Sequence, residues 1–105
     1  MLSPRTAGVG ETIQLAMVGW PRDSAVKVYL VTAEQRADAI TLAEEDMVKL
    51  GEAVPEDGNA SFSFQLKSSY EAPSGLRLEV TSGESLYVFA RQRGWTRGTG
   101  PLVIR

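Results

Sequence analysis

Short runs in which apolar and polar residues alternate recur along this chain of 105 residues. Ile13, Leu15 and Met17, for example, alternate with Gln14 and Ala16. A period of two places successive side chains on opposite faces of a strand, so that one face is buried and the other meets solvent. Turn residues separate roughly seven such runs at intervals of about 8–15 residues, which predicts an all-β sandwich or barrel.

The strands follow from this alternation and from β-branched and aromatic composition. We predict them at 13–20, 26–32, 62–66, 76–80, 86–90 and 101–105. The run 86–90, "LYVFA", is almost wholly apolar and therefore predicts a central strand that is buried on both faces. For roughly 100 residues, a two-sheet Greek-key sandwich is the best match to this pattern.

Residues 33–50 allow two interpretations. Ala43 and Met47 follow helical spacing, and Thr41 with Glu44 has the form of a capping box, which together predict a short helix near 41–47. The alternative is an acidic loop followed by a strand over 48–54. The sequence does not decide between them.

Turn chemistry marks the connections between the strands. Asp57 and Gly58 give the strongest signal, that of a tight turn. Residues 68–75 and 91–100 are predicted as loops, and the second is long and rich in glycine. Glu56, Asp57 and Asn59 carry oxygen atoms of the kind that calcium binds. A turn that bonds its own backbone explains these residues without an ion, so no metal is expected.

Composition limits the functions that the chain can have. It contains no cysteine and no histidine, which removes thiolate metal sites, disulfides and the commonest general base. We therefore expect no enzymatic activity and no cofactor. A formal net charge of -2 gives no general case for nucleic acid as a partner. No apolar run reaches the roughly 18 residues of a membrane span, so membrane insertion is not expected.

Several segments resemble the immunoglobulin-like modules of bacterial surface and secreted proteins. The resemblance rests on "SPRTAGVGETIQLAMVGWPRDSAVKVYLV", "LGEAVPEDGNASFSFQL" and "SLYVFARQ". The shared features are a Gly-Glu pair before the first long strand, a Gly-aromatic-Pro turn, and an Asp-Gly turn that leads into a Ser-Phe-Ser strand. The paired cysteines of antibody domains are missing, and 34–50 is longer than such a module needs.

The resemblance implies a single immunoglobulin-like domain over 1–105, excised from a larger protein. Its location would be extracellular or in the cell envelope, although the sequence leaves the cytoplasm open. The function implied is that of a non-catalytic module: a spacer, a stalk or a protein-interaction domain. An accessory domain of a multidomain secreted enzyme is an alternative.

A candidate binding surface follows from the same fold, in which the loops at 20–24 and 92–100 leave the sandwich at one end. Aromatic residues and arginine are enriched in binding hot spots, and aromatic faces also stack on sugars. The surface therefore predicts a protein, peptide or carbohydrate ligand. In the alternative interpretation Trp20 closes the core and Trp95 folds back over the end of the sandwich. The candidate residues are Trp20, Arg22, Arg93, Trp95 and Arg97.

Charge is distributed unevenly along the chain. The segment from Glu34 to Asp57 holds eight acidic and two basic residues, whereas the segment from Arg91 to Arg105 holds four arginines and no acid. Such a layout can steer a charged partner or let modules stack end to end. Two separately solvated ends would explain it equally well.

Overall fold

The structure is a computed structural model that describes residues 2–21, 24–37 and 43–105. Strands make up most of it, as the alternating pattern predicts. The strands are β1 (Leu2–Ser3), β2 (Thr6–Ala7), β3 (Thr12–Met17), β4 (Val26–Thr32), β5 (Val48–Ala53), β6 (Ala60–Gln65), β7 (Ser69–Glu71), β8 (Arg77–Glu79), β9 (Ser85–Gln92) and β10 (Trp95–Ile104). A short helix, α1 (Ala33–Ala37), and a 3₁₀ turn (Glu44–Asp46) lie between β4 and β5.

Two main sheets and one small hairpin organise these strands. The first sheet has the order β1-β3-β6, and the second has the order β2-β10-β9-β4-β5. β7 and β8 pair only with each other among the described strands. Every pairing in the two main sheets is antiparallel except that of β2 with β10. The all-β class predicted from the sequence is therefore confirmed.

One apolar core lies between the two main sheets. Ile13, Leu15 and Phe64 reach it from the first sheet, and Val28 and Val88 reach it from the second. A smaller cluster, formed by Tyr29, Val31, Met47 and Phe89, packs on the other face of β4 and β9. β9 lies between β4 and β10, so the prediction of a central strand buried on both faces is confirmed.

The connection between β4 and β5 settles the ambiguity at 33–50 for the residues that the structure describes. β5 corresponds to the strand predicted at 48–54, and only the 3₁₀ turn lies within the helix predicted near 41–47. Thr41 lies outside the described residues. A capping box that was not predicted forms nine residues earlier: the Gln35 backbone amide donates to Thr32 Oγ1, and the Thr32 backbone amide donates to Gln35 Oε1, both at 3.1 Å. This reciprocal bonding starts α1 directly at the end of β4.

The prediction of a long loop over 91–100 is wrong. β9 and β10 form a hairpin in which Gln92 pairs with Trp95, so only Arg93 and Gly94 connect them. Both have positive φ, 24° and 78°, as a tight hairpin turn requires. Gly94 lies in this turn, whereas the other two glycines that suggested a loop, Gly98 and Gly100, face aromatic rings of β9. Gly98 lies opposite Phe89, and a Cβ at Gly98 would lie 3.0 Å from that ring.

Two further predictions on turns have different outcomes. The tight turn at Asp57 and Gly58 is confirmed, since both residues have positive φ and Glu56 bridges to Asn59. The loop predicted at 68–75 is only partly a loop. Its first half contains β7, which pairs with β8 through Tyr70 and Leu78. Leu78 is buried in the main core, so burial of its side chain favours this local hairpin.

The two sheets contact each other between β5 and β6. Gly51 on β5 faces the Phe62 ring on β6, and a Cβ at Gly51 would lie 2.7 Å from Phe62 Cε1. Real Cβ atoms do not approach a ring this closely, so any larger side chain at Gly51 must displace the ring. The absence of a side chain at Gly51 therefore lets the Phe62 ring pack against the main core.

We expect Gly51→Ala to lower the free energy of unfolding by about 1–3 kcal/mol, the usual cost of overpacking. Urea denaturation followed by circular dichroism measures this. Gly8→Ala is the matched control, because a Cβ at Gly8 would have only Glu11 Oε2 nearby, at 3.5 Å. In a Phe62→Leu background the cost of Gly51→Ala should shrink. An unchanged cost in that background would contradict the assignment of the clash to the Phe62 ring.

Candidate functional site

The five predicted site residues fall into separate groups. Trp20 is buried, with 4% of its surface exposed, whereas Trp95 is 51% exposed. Trp20 and Arg97 contact each other, and Arg93 and Trp95 line a common groove. Arg22 lies outside the described residues. The structure therefore divides the predicted surface into two pairs: the buried Trp20 with the exposed Arg97, and the exposed Arg93 with the exposed Trp95.

Trp20 closes one end of the core. It follows β3, packs against Val26 and Ala90, and donates its backbone N–H to Gly58 O at 3.0 Å. The last contact brings the acidic turn of residues 55–59 beside the tryptophan. A tryptophan in a short polar turn is thus explained by packing, because its ring covers the gap where the two sheets end.

Arg97 holds this end of the sandwich together. From β10, in the second sheet, its guanidinium donates to Val18 O at 2.7 Å and to Gly19 O at 3.0 Å. Both carbonyls belong to the segment that follows β3, in the first sheet. The same guanidinium lies 5.2 Å from the centre of the Trp20 ring, within the range of a cation–π contact. We call Trp20 and Arg97 the clasp.

Trp95 and Arg93 lie beside an open groove of about 840 Å³. The two-residue turn of the β9–β10 hairpin places both residues at the tip, where little can cover the indole. The charged and aromatic residues that line the groove are Lys27, Glu44, Arg91, Arg93 and Trp95. Among the described residues the lining therefore carries three cations and one carboxylate.

Lys27 and Arg91 reach the groove from adjacent strands. They are cross-strand partners on β4 and β9, and Arg91 in turn pairs with Thr96 on β10. The Gln92 side chain fixes the neighbouring backbone, since its Nε2 donates to Ser24 O at 2.8 Å. The polar side of the groove is thus built on three hydrogen-bonded strands, which favours a preformed surface.

Glu44 connects the 3₁₀ turn to this side of the groove. Its carboxylate lies 3.6 Å from Lys27 Nζ and 3.8 Å from Arg91 Nη1. Burial raises the pKa of the Tyr29 hydroxyl to about 12, and the charge and hydrogen bond of Glu44 add to the rise. The Glu44 carboxylate thus accepts a hydrogen bond from the Tyr29 hydroxyl in addition to its contacts with Lys27 and Arg91.

Two arginines of the basic segment form ion pairs. Arg91 contacts Glu44 of the acidic segment, and Arg105 binds Glu11, directly before β3. The Arg105 guanidinium, as a hydrogen-bond donor to that carboxyl, holds the pKa of Glu11 below its usual value. Two of the four arginines in the basic segment therefore form ion pairs within the fold, whereas Arg93 is exposed at the hairpin tip.

Sequence reasoning missed Lys27, Glu44 and Arg91 as groove residues. Lys27 is the polar position of an otherwise apolar strand, and this irregularity was a usable signal. Glu44 gave no such signal, because it is one of three consecutive acids. Within the described residues no group of three carboxylates lies close enough to hold a metal ion, and no helix is long and apolar enough to cross a membrane.

Removal of the clasp should loosen the end of the sandwich. We expect Arg97→Ala to lower the free energy of unfolding by about 1–3 kcal/mol, because two charge-assisted hydrogen bonds and a cation–π contact are lost. It should also make Trp20 accessible to acrylamide. Urea denaturation and fluorescence quenching measure the two effects.

Arg77→Ala is the matched control, since its ion pair with Glu79 is exposed on both sides and such pairs contribute at most about 1 kcal/mol. Equal losses in the two variants would contradict the role given to Arg97.

Comparison of the chain with protein-family models, with curated proteins and with solved structures gave no match. The immunoglobulin-like resemblance therefore remains a prediction. The site has to be interpreted from its own geometry: a clasp of buried Trp20 and exposed Arg97 at one position, and an exposed tryptophan beside a cationic groove at another.

Proposed function

We propose that the chain is a non-catalytic interaction module with an immunoglobulin-like Greek-key sandwich, and that it binds an acidic segment of a partner protein through the groove at Trp95. The observation that carries this proposal is the exposed Trp95 indole beside Lys27, Arg91 and Arg93. Tryptophan and arginine are the residues most enriched among binding hot spots.

The order of the strands supports an immunoglobulin-like sandwich. β3 and β6 lie in one sheet, while β4, β5, β9 and β10 lie in the other. In the immunoglobulin arrangement the second and fifth strands likewise share one sheet, and the third, sixth and seventh strands form the other. The chain changes sheets between β3 and β4 and again between β5 and β6, as that topology requires.

The chemistry of the groove supports binding without catalysis. Its only carboxylate among the described residues, Glu44, contacts two cations and the Tyr29 hydroxyl. Imidazoles and free carboxylates are common general bases, and the chain has no histidine. The groove offers cations and an aromatic face, which suit recognition of a ligand rather than its conversion.

The excess of cations favours an acidic ligand. Of the three cations, Lys27 and Arg91 lie near Glu44, whereas Arg93 at the hairpin tip is exposed. A carboxylate of the partner would bind Arg93 while an apolar side chain packs on the Trp95 indole. In this proposal the module acts within a bacterial surface or secreted protein, as a spacer that also holds a partner or as the accessory domain of an enzyme.

A carbohydrate is the second candidate ligand, because an exposed indole face also stacks on sugar rings. The two ligand classes differ in their dependence on charge. Binding of an acidic peptide weakens with salt and with loss of Arg93, whereas stacking of a neutral sugar depends on Trp95 alone.

Tryptophan fluorescence can test this proposal directly. The probes are a hexapeptide of four glutamates and two leucines, the same peptide with lysines in place of glutamates, and chitohexaose. We expect the acidic peptide to change the emission of the wild-type chain and to leave a Trp95→Phe variant, which retains Trp20, unchanged. Arg93→Asn, which suits the positive φ of the turn, should weaken binding about tenfold.

Arg5→Ala is the matched control, because Arg5 is exposed and does not line the groove. It should bind as the wild type does. A response to chitohexaose alone would indicate that the groove binds a sugar and not an acidic segment. Unchanged Trp95 emission with all three probes would contradict the groove as a binding site.

A further inference from the structure

The first half of β10 has a free edge. The N-terminal strands divide between the two sheets: β1 pairs with β3, and β2 pairs with β10 only at Val103 and Ile104. Among the described residues no strand therefore lies beside residues 95–99 on the side that β2 occupies further along. Residues 96–98 are exposed, and a groove of about 220 Å³ lies between this part of β10 and the end of β3.

The hairpin register determines which backbone groups this edge offers. Gln92 and Trp95 close the two-residue turn and are therefore a hydrogen-bonded pair. Backbone groups alternate in direction along a strand, so Arg97 also bonds to β9, whereas Thr96 and Gly98 direct their N–H and C=O to the free side. The edge thus offers two residues with four backbone groups for hydrogen bonding.

Arg97 carries the only charge of this stretch. Residues 95–99, "WTRGT", include no proline, and the register with β9 is regular as far as Thr99. Proline, bulges and charges are the common protection of edge strands, so here the protection depends on Arg97. Its guanidinium donates to two carbonyls and forms an ion pair with no carboxylate among the described residues. Its positive charge is therefore not neutralised.

This charge decides which strand the edge can accept. If β10 of a second copy paired here through Thr96 and Gly98 of both copies, Arg97 of one copy would lie opposite Arg97 of the other. Like charges at facing positions destabilise an antiparallel pair, and opposite charges stabilise it. The surrounding segment has the same sign, since residues 91–105 hold four arginines and no acid. Charge therefore disfavours a second copy and favours an acidic strand.

We propose that the acidic segment of the partner protein binds as an added strand, antiparallel to β10. This inference rests on the proposed function and states how the segment is held. The segment forms two backbone hydrogen bonds with Thr96 and two with Gly98, and an acidic residue lies opposite Arg97. Trp95 and Arg97 share a face of the sheet, so an apolar residue two positions after the acidic one packs on the Trp95 indole. The segment then continues past the hairpin tip, where Arg93 lies.

Backbone N-methylation of the acidic peptide tests this proposal without a change in the protein. The probe is acetyl-ELEELE-amide, with its third residue opposite Arg97 and its fifth opposite Trp95. In this register the amides of its second and fourth residues face β10, and those of its third and fifth face away. Methylation of the first pair should raise the dissociation constant, measured by calorimetry, at least about tenfold, because hydrogen bonds to β10 are lost. Methylation of the second pair, the matched control of equal mass and charge, should leave it within about twofold.

Amide hydrogen exchange gives a second measurement, on the chain itself. The Thr96 and Gly98 amides should exchange at least about fivefold more slowly when the unmodified peptide is bound. The peptide with lysines in place of glutamates should leave their exchange unchanged.

The outcomes separate this inference from the function on which it rests. If the unmodified peptide does not bind, both proposals are overturned. If it binds but both methylated peptides bind equally, or if the exchange of Thr96 and Gly98 does not change, the added strand alone is overturned. The groove at Trp95 would then hold the acidic segment through side chains only.

Discussion

The core shared by the two sheets is the constraint on which the rest of the molecule depends. Leu15 and Phe64 from one sheet meet Val28, Val88 and Leu102 from the other. Removing such side chains from water is the main favourable contribution to folding, at about 25 cal/mol per Å² of apolar surface. The alternation of apolar residues in the sequence exists because each strand must turn one face to this core. The clasp and the groove lie where these strands end, so the core determines their positions.

Sequence reasoning succeeded where the information was local. The period of two located β3 and β6, and Asp57-Gly58 identified a turn whose backbone needs positive φ at both residues. It failed at 91–100, where glycine suggested a flexible loop. Gly98 is required by the Phe89 ring across the hairpin, and a single sequence does not state which residues face each other. The capping box at Thr32 and Gln35 was missed, although it has the same form as the box predicted at Thr41 and Glu44, of which Thr41 lies outside the described residues.

The candidate site was predicted as one surface, and the structure places its described residues at two separate positions. Trp20 and Arg97 join the sheets, and Trp95 and Arg93 are exposed at the hairpin tip. Two tryptophans in similar Gly- and Arg-rich surroundings thus differ because one lies between the sheet ends and the other beyond them. Loop length decides this difference: a two-residue turn is too short to fold its neighbouring indole back over the sandwich.

The different environments of the two tryptophans are the central claim, because both the clasp and the groove follow from them. Paramagnetic line broadening by a soluble gadolinium chelate measures them directly on the two indole N–H resonances of the ¹⁵N-labelled chain. We expect the Trp95 resonance to broaden strongly and the Trp20 resonance to persist, with assignment by Trp95→Phe. Equal broadening of both resonances, or protection of both, would contradict the account.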